Sequence, residues 1–309
     1  MEGVLNFFID VLKFGLPYSV LALGIFISYR ILDFADLGAE GSYTLGGAVV
    51  AICLYHSLNP FLSLLISIVC GFLAGIITGV LHTKLRIPKL LSGIITMTAL
   101  FSINMFIMGF GSKGNTSGYA SNVYLNGKNT NGVVIKTIYD TFLGFFSAKN
   151  YNIIFINILL VVLVLAIIYF FFGTEIGMSV RSTGMNEAMS RAQGINTSLM
   201  IILGLGISNA LIAMSGALYT QVNRTANNTM GVGVLVIGLA SIIIGEAIFG
   251  KRSFKNWILS VTFGAVIYYL VICLALKLGL PDYCKKLLYA LLITIVLVIP
   301  LVKKAWNPC

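Results

Sequence analysis

Ten carboxylates serve 309 residues, and four of them sit where charge is expensive: Asp33, Asp36 and Glu40 after the first apolar run, and Glu246 near the end of the seventh. An ionisable group at membrane depth is costly and by default functional. Two placements are open for this set. All four can lie at an interface and pair with Arg30, Lys251 or Arg252, or the linker 30–46 can fold inward and line a path. In the second case Asp36 and Glu40 could meet an ammonium, Asn209 a carboxylate, and Tyr43 could supply an aromatic wall. Asn104, Asn209 and Asn223 lie in or near apolar runs, where an amide serves equally as an interhelical hydrogen bond.

Covalent chemistry finds no support. There is no GxxxxGK[ST] phosphate loop, no GxSxG and no HExxH. His56 and His82 fall at opposite membrane edges, and the five cysteines show no CxxC or other metal-ligand spacing. No catalytic residue, metal site or cofactor is expected, and ATP is not bound by this chain through a phosphate loop.

The other informative segment is FGTEIGMSVRSTGMNEAMSRAQGIN. Asn186 suits a helix start, where its side-chain oxygen accepts from a free N–H, and Glu187 suits the positive end of the helix dipole. Ala188, Met189 and Ala192 form a small apolar face, with Glu187, Ser190 and Arg191 facing elsewhere. Gly194 tolerates the left-handed backbone that closes a helix. Two turns are unstable alone, so this helix must dock on something.

The elements that position these residues are membrane spans. The chain is 58% hydrophobic and 10% charged, against roughly 25% charged in soluble domains. About nine apolar segments are expected: Leu5–Ser28, Ser42–Tyr55, Phe61–Leu81, Leu90–Gly109, Asn152–Phe172, Leu199–Gln221, Met230–Phe249, Trp257–Leu276 and Leu287–Val302. The fold class is an all-α polytopic membrane protein of about 8–9 transmembrane helices, a single domain over 1–309. The second segment is short and Gly-rich, so a broken or re-entrant span is open there. The net charge of +10 is scattered between apolar runs as topology-setting charge, which excludes a nucleic-acid interface. With the N-terminus outside and the C-terminus inside, the short inner loops carry Arg30, Lys84, Arg86, Lys89, Arg181, Arg191, Lys251, Arg252 and Lys255. Cys284 then lies outside and Cys309 inside. The polar stretch 110–151 reads as a solvated outer loop with a short helix near Val133–Phe146, and 173–198 reads as a cytoplasmic loop. Gly71, Gly75 and Gly79 recur every four residues, the spacing of a close helix crossing. ALGIFISYRILDFADLGAEGSYTLGGAVVA and AMSGALYTQVNRTANNTMGVGVLVIGLASI share a span, a polar linker and a Gly-rich run, and they enter from opposite sides. That is the pattern of an inverted internal repeat.

The run TGMNEAMSRAQGIN, with GLGISNALIAMSGALYTQ, MGVGVLVIGLASIIIGEAIFG and the upstream YRILDFADLGAEGSYTLGGAVVA, resembles the permease family of branched-chain amino acid, ribose and related ABC importers. SNALIAMSGALYTQ and VIGLASIIIGEA are most similar to permeases paired with binding proteins for tryptophan or tyrosine. QVNRTANNTMG departs from the QYQGFAD-like stretch expected there, which bears on substrate. The resemblance implies a bacterial cytoplasmic-membrane permease that performs no hydrolysis itself. Its implied partners are a cytosolic ATP-binding subunit dimer, an extracytoplasmic substrate-binding protein or lipoprotein, and a second, identical permease copy. It also implies that Asn186, Glu187, Ala188, Met189 and Arg191 form the coupling helix, with Gly184 and Gly194 as its hinges. The rival readings are an ion-coupled secondary carrier, a permease for a sugar or nucleoside, and a membrane scaffold.

Overall fold

The computed structural model describes residues 2–110, 118–127, 134–141 and 149–277, with 287, 291 and 294 singly. Apart from Leu287, Leu291 and Thr294, the expected ninth segment lies outside the described residues, as do Cys284 and Cys309. Among the described residues the chain is helical apart from one two-stranded ribbon. The helices are α1 (Glu2–Ile25, extended by a π-helical stretch Phe26–Ile31), α2 (Gly38–Tyr55), α3 (Pro60–Thr83), α4 (Lys89–Gly109), α5 (Ile138–Thr141), α6 (Lys149–Gly173), α7 (Glu175–Met185), α8 (Glu187–Ala192), α9 (Thr197–Asn223), α10 (Val234–Phe249) and α11 (Phe254–Lys277). Strands β1 (Asn122–Tyr124) and β2 (Thr225–Asn227) pair antiparallel, with Val123 opposite Ala226.

Among the described residues, six helical stretches are long and apolar enough to cross a membrane: Phe7–Ile31, α3, α4, Tyr151–Gly173, α9 and Phe254–Ala275. α10 is apolar but has only 16 residues. α2 touches protein along nearly its whole surface. All its residues except Glu40, Ile52 and Cys53 are buried, enclosed by α3, α4 and α9. This explains its glycines, and it is one continuous helix.

α3 shows how composition sets contact. Leu65, Val69, Leu73 and Ile77 form an exposed stripe at four-residue spacing, as expected for a lipid-facing surface. The opposite stripe is Gly71, Gly75 and Gly79 against α9. A Cβ at Gly75 would fall on the Leu205 carbonyl, and one at Gly79 would lie 2.8 Å from the Ile202 Cα.

The two ends of the bundle differ. At one end Lys277 lies over the Phe7 ring at 4.9 Å. There too α5 is pinned, with Ile138 N–H donating to Gln221 Oε1 (2.9 Å) and Tyr139 OH to Asn157 Oδ1 (2.7 Å). The 110–151 stretch is therefore not solvated throughout: Val123, Leu125, Ile135, Ile138 and Tyr139 are buried. Their apolar side chains close that end of the bundle, and Arg224 anchors Asp140 at 2.7 Å. At the other end Arg181 covers the Phe254 ring (4.5 Å) and Lys255 the Tyr169 ring (4.9 Å), alongside α7 and α8.

Candidate functional site

Two places gather the singled-out residues. The first is the junction where α2 and α10 begin. Asp36, 1% exposed, folds inward with the linker, and its Oδ1 accepts from Gly38 N–H at 2.8 Å, closing the start of α2. Its Oδ2 accepts from Asn209 Nδ2 at 2.8 Å, midway along α9. An acid-to-amide bond inside the bundle satisfies both groups and fixes where α2 starts. Glu40, in the first turn of α2, reaches the other short helix: its Oε1 accepts from Gly233 N–H at 2.9 Å. Gly233 is left-handed (φ 88°) and immediately precedes α10, so a carboxylate faces that helix's positive end.

The four carboxylates therefore divide between the two placements. Asp36 and Glu40 go inward. Asp33 is exposed, with its carbonyl accepting from Lys89 Nζ at 2.9 Å. Glu246 accepts from Arg30 Nε (2.9 Å), Trp257 Nε1 (2.8 Å) and Lys251 Nζ (2.9 Å), as the interfacial pairing with Arg30 and Lys251 anticipates. Three donors on a side chain only 6% exposed make this carboxylate hard to replace. Glu246→Ala is expected to leave two cations unpaired and cost about 1–3 kcal/mol. The readouts are a lower melting temperature in detergent and a red-shifted Trp257 emission.

Tyr43 is 1% exposed, with its ring 6.1 Å from that of Tyr219. It belongs to an aromatic cluster with Tyr18, Tyr269 and Phe14 through Tyr219 and its neighbours. Asp36, Asn209 and Tyr43 are thus enclosed and engaged with protein, while Glu40 borders an open cleft between α2, α4 and the 228–232 turn. Asn104 and Asn228 line the same cleft. Asn104 Nδ2 donates to the Gly41 carbonyl at 3.1 Å, the interhelical bond expected of it. Asn228 was overlooked in sequence because it lies in a run of polar linker residues, NRTANNT, that gives no periodicity. His56 caps the end of α2 and His82 lies in the last turn of α3, at opposite ends of the bundle.

The second place is the α7–α8 elbow. Thr174 starts α7 by accepting from Gly177 N–H (3.2 Å), a helix the sequence reading left out. Asn186 ends α7 and starts α8, its Oδ1 accepting from Met189 N–H at 3.0 Å. Glu187 and Arg191 pair one turn apart, with Thr197 Oγ1 bridging to both. Gly194 is left-handed (φ 83°), and Ile195 N–H returns to the Ser190 carbonyl at 3.1 Å, the six-to-one bond of a glycine-closed helix. Gly184 lies inside α7, where a Cβ would fall on the Ile31 carbonyl; it lets the elbow press against the end of α1. Ser190 is buried, whereas Ala188 and Ala192 are exposed, Met189 is 61% exposed and Met185 88%. The elbow is thus seated on one side and offers an apolar surface on the other.

Among the described residues, six apolar stretches long enough to span a membrane, with α2 enclosed by α3, α4 and α9, define an all-helical polytopic membrane protein. The chain belongs to the ABC-type family described as the permease component of branched-chain amino acid transport systems, whose sequence profile matches residues 7–297. It is 37% identical over 293 residues to the tyrosine transport system permease protein of Clostridioides difficile (strain R20291), covering 95% of this chain and 90% of that one. It is 30% identical over 298 residues to the uncharacterized protein RP368 of Rickettsia prowazekii (strain Madrid E), covering 94% and 96%. The ribose import permease protein RbsC of Haemophilus influenzae is more distant, at 24% over 236 residues, covering 76% and 64%. Among solved structures, PsaBC from Streptococcus pneumoniae in complex with Fab shares the fold, with a TM-score of 0.54 at 18% identity, covering 93% of this chain and 89% of that one.

Proposed function

We propose that this chain is the membrane-spanning subunit of an ATP-driven importer for an aromatic amino acid, with tyrosine favoured. The observation that carries the reading is α8: a capped, two-turn helix braced by Gly184 and Ser190, with Ala188 and Met189 bare. A two-turn helix cannot persist unsupported, and bare apolar groups on a rigid seat suit a groove on a partner protein. That partner is an ATP-binding subunit dimer. The α8 end then faces the cytoplasm, in line with the basic residues gathered there. The β1–β2 ribbon and α5 face outward, where a binding protein or lipoprotein delivers substrate. A second identical copy completes the pathway, and nucleotide-driven movement of α8 rocks the spans beside it. The C. difficile relative, named for tyrosine transport, supports the substrate class.

The test is reconstitution of the permease in liposomes with its co-expressed ATP-binding subunit and binding protein. ATP-dependent accumulation of L-tyrosine is the expected result. Uptake of ribose with tyrosine ignored would overturn the substrate and leave the class intact. Uptake driven by an ion gradient without ATP would overturn the class.

A further inference from the structure

A groove of about 370 Å³ lies between α6 and α11. The two helices meet at the Phe172 and Phe254 rings, whose centroids are 5.5 Å apart. Because α6 ends and α11 begins on the α7 side of the bundle, Tyr169 and Lys255 stand at the mouth of the groove, while Val162, Leu165 and Leu259 lie farther in. α6 rises about 10 Å between Val162 and Tyr169, a large part of the ~15 Å hydrocarbon depth of one leaflet. The lining is apolar except for Lys255 and the Tyr169 hydroxyl. Lys255 is exposed, and its Nζ lies 4.9 Å from the centre of the Tyr169 ring. The same corner holds Arg181, 4.5 Å from the Phe254 ring, and the exposed Arg252. Among the described residues none of these three cations forms an ion pair. The carboxylates at that end leave them unneutralised: Glu246 is held by Arg30 and Lys251, Glu187 by Arg191, and Glu175 forms no ion pair. A second groove, of about 400 Å³ between α3, α6 and α9, is lined by apolar side chains alone.

We propose that the α6–α11 groove is a site for one anionic phospholipid, with an acyl chain along Val162, Leu165 and Leu259 and the headgroup phosphate at Lys255, Arg252 and Arg181. Lipid tails are as apolar as leucine, so a groove by itself selects nothing. Selection comes from the charge at its mouth, since basic pockets between spans favour anionic headgroups. A zwitterionic lipid carries an ammonium that offsets its phosphate there. A free anion would meet the cations and leave the apolar groove unused. A second copy of this chain, placed here about a two-fold axis, would set the same cations against one another. The inference depends neither on the cargo nor on the ATP-binding partner.

The test is photolabelling of the full-length permease in phosphatidylcholine nanodiscs. A small fraction of either phosphatidylglycerol or phosphatidylcholine carries a diazirine in one acyl chain, and mass spectrometry maps the labelled peptides. Phosphatidylglycerol should label the α6–α11 groove roughly fivefold or more above phosphatidylcholine. The two lipids should label the uncharged α3–α6–α9 groove equally. Lys255→Gln with Arg252→Gln should bring labelling by phosphatidylglycerol down to the phosphatidylcholine level, at an unchanged melting temperature. Ala166 is an exposed lining residue, so Ala166→Trp should fill the groove and remove the preference with every cation in place. Inorganic phosphate should weaken the labelling no more than chloride at matched ionic strength. Equal labelling by the two lipids, or a preference that survives the double substitution, would overturn the site. A preference untouched by Ala166→Trp would reduce it to general surface charge, and displacement by phosphate beyond the chloride control would assign the cations to a free anion. Protection of the groove from both lipids would assign it to a second copy; each of these three results would also overturn the lipid site.

Discussion

Replacing Gly75 by leucine is expected to leave almost no assembled protein in the membrane. The contact between α3 and α9 is made backbone to backbone: beside Gly75 stand the Leu205 carbonyl and the Gly206 Cα, the latter 2.8 Å from where a Cβ would be. Main chain cannot rotate aside as a side chain can. A new methyl must push the helices apart along their length, and the Gly71 contact goes with it, where a Cβ would lie 2.6 Å from the Asn209 carbonyl. Overpacking a well-filled interior costs about 1–3 kcal/mol and sometimes more, and lipid supplies no hydrophobic force to hold loosened helices together. Asn209 is also the partner of Asp36, so separating α3 from α9 disturbs the junction as well. The measurement is the yield of monodisperse protein after detergent extraction. Gly75→Leu should lower it by roughly tenfold or more. Ile77→Leu, on the exposed stripe of the same helix, should leave it unchanged. Normal yield and melting temperature for Gly75→Leu would refute the crossing.

Ala188→Arg and Met189→Asp, each made singly, should abolish transport while leaving the permease folded. Both side chains point away from the bundle, so the chain itself has no packing to lose. In a partner's groove each introduced charge must shed water without a counter-charge, at a cost of several kcal/mol. Each 1.4 kcal/mol is tenfold in affinity, so association with the ATP-binding subunit should fall by roughly 100-fold or more. The readouts are co-purification of the ATP-binding subunit and substrate uptake, beside an unchanged melting temperature of the permease alone. Arg191→Ala should be mild by comparison. Its pair with Glu187 is exposed on both sides, and such pairs are worth about 0–1 kcal/mol. Wild-type co-purification and uptake in both variants would remove α8 from the interface.

Spans were readable from sequence because lipid contact imposes one rule along a whole helix. The expected segment Phe61–Leu81 is α3 with one residue more at its N-terminal end and two more at its C-terminal end, and Leu90–Gly109 is α4 within one residue. The Gly71–Gly75–Gly79 stripe was equally legible, since only small residues let backbones touch. So was α8: a cap and a stop are local chemistry, and Asn186 and Gly194 perform them where the residue types place them. The family likeness reads from the same runs, matched over residues 7–297.

Partnership was not legible. Asp36 and Glu40 sit one helical turn apart, and nothing in their spacing separates one bonded to Asn209 from one reaching Gly233 across 193 residues. Asn228 carried no signal, because a polar linker has no period to mark which side chain turns inward. Neither placement holds for all four carboxylates: Asp36 and Glu40 turn inward, Glu246 pairs with Arg30 and Lys251, and Asp33 is exposed. That division depends on where the 32–37 linker re-enters the bundle beside Asn209, and re-entry is decided by packing on α9, distant in sequence. Residue types and local spacing thus determined the spans, the close crossing and the capped helix, since each depends on neighbours within a turn or two. Which polar groups meet inside was left to tertiary structure, because a buried hydrogen bond is chosen by whatever the fold brings within about 3 Å.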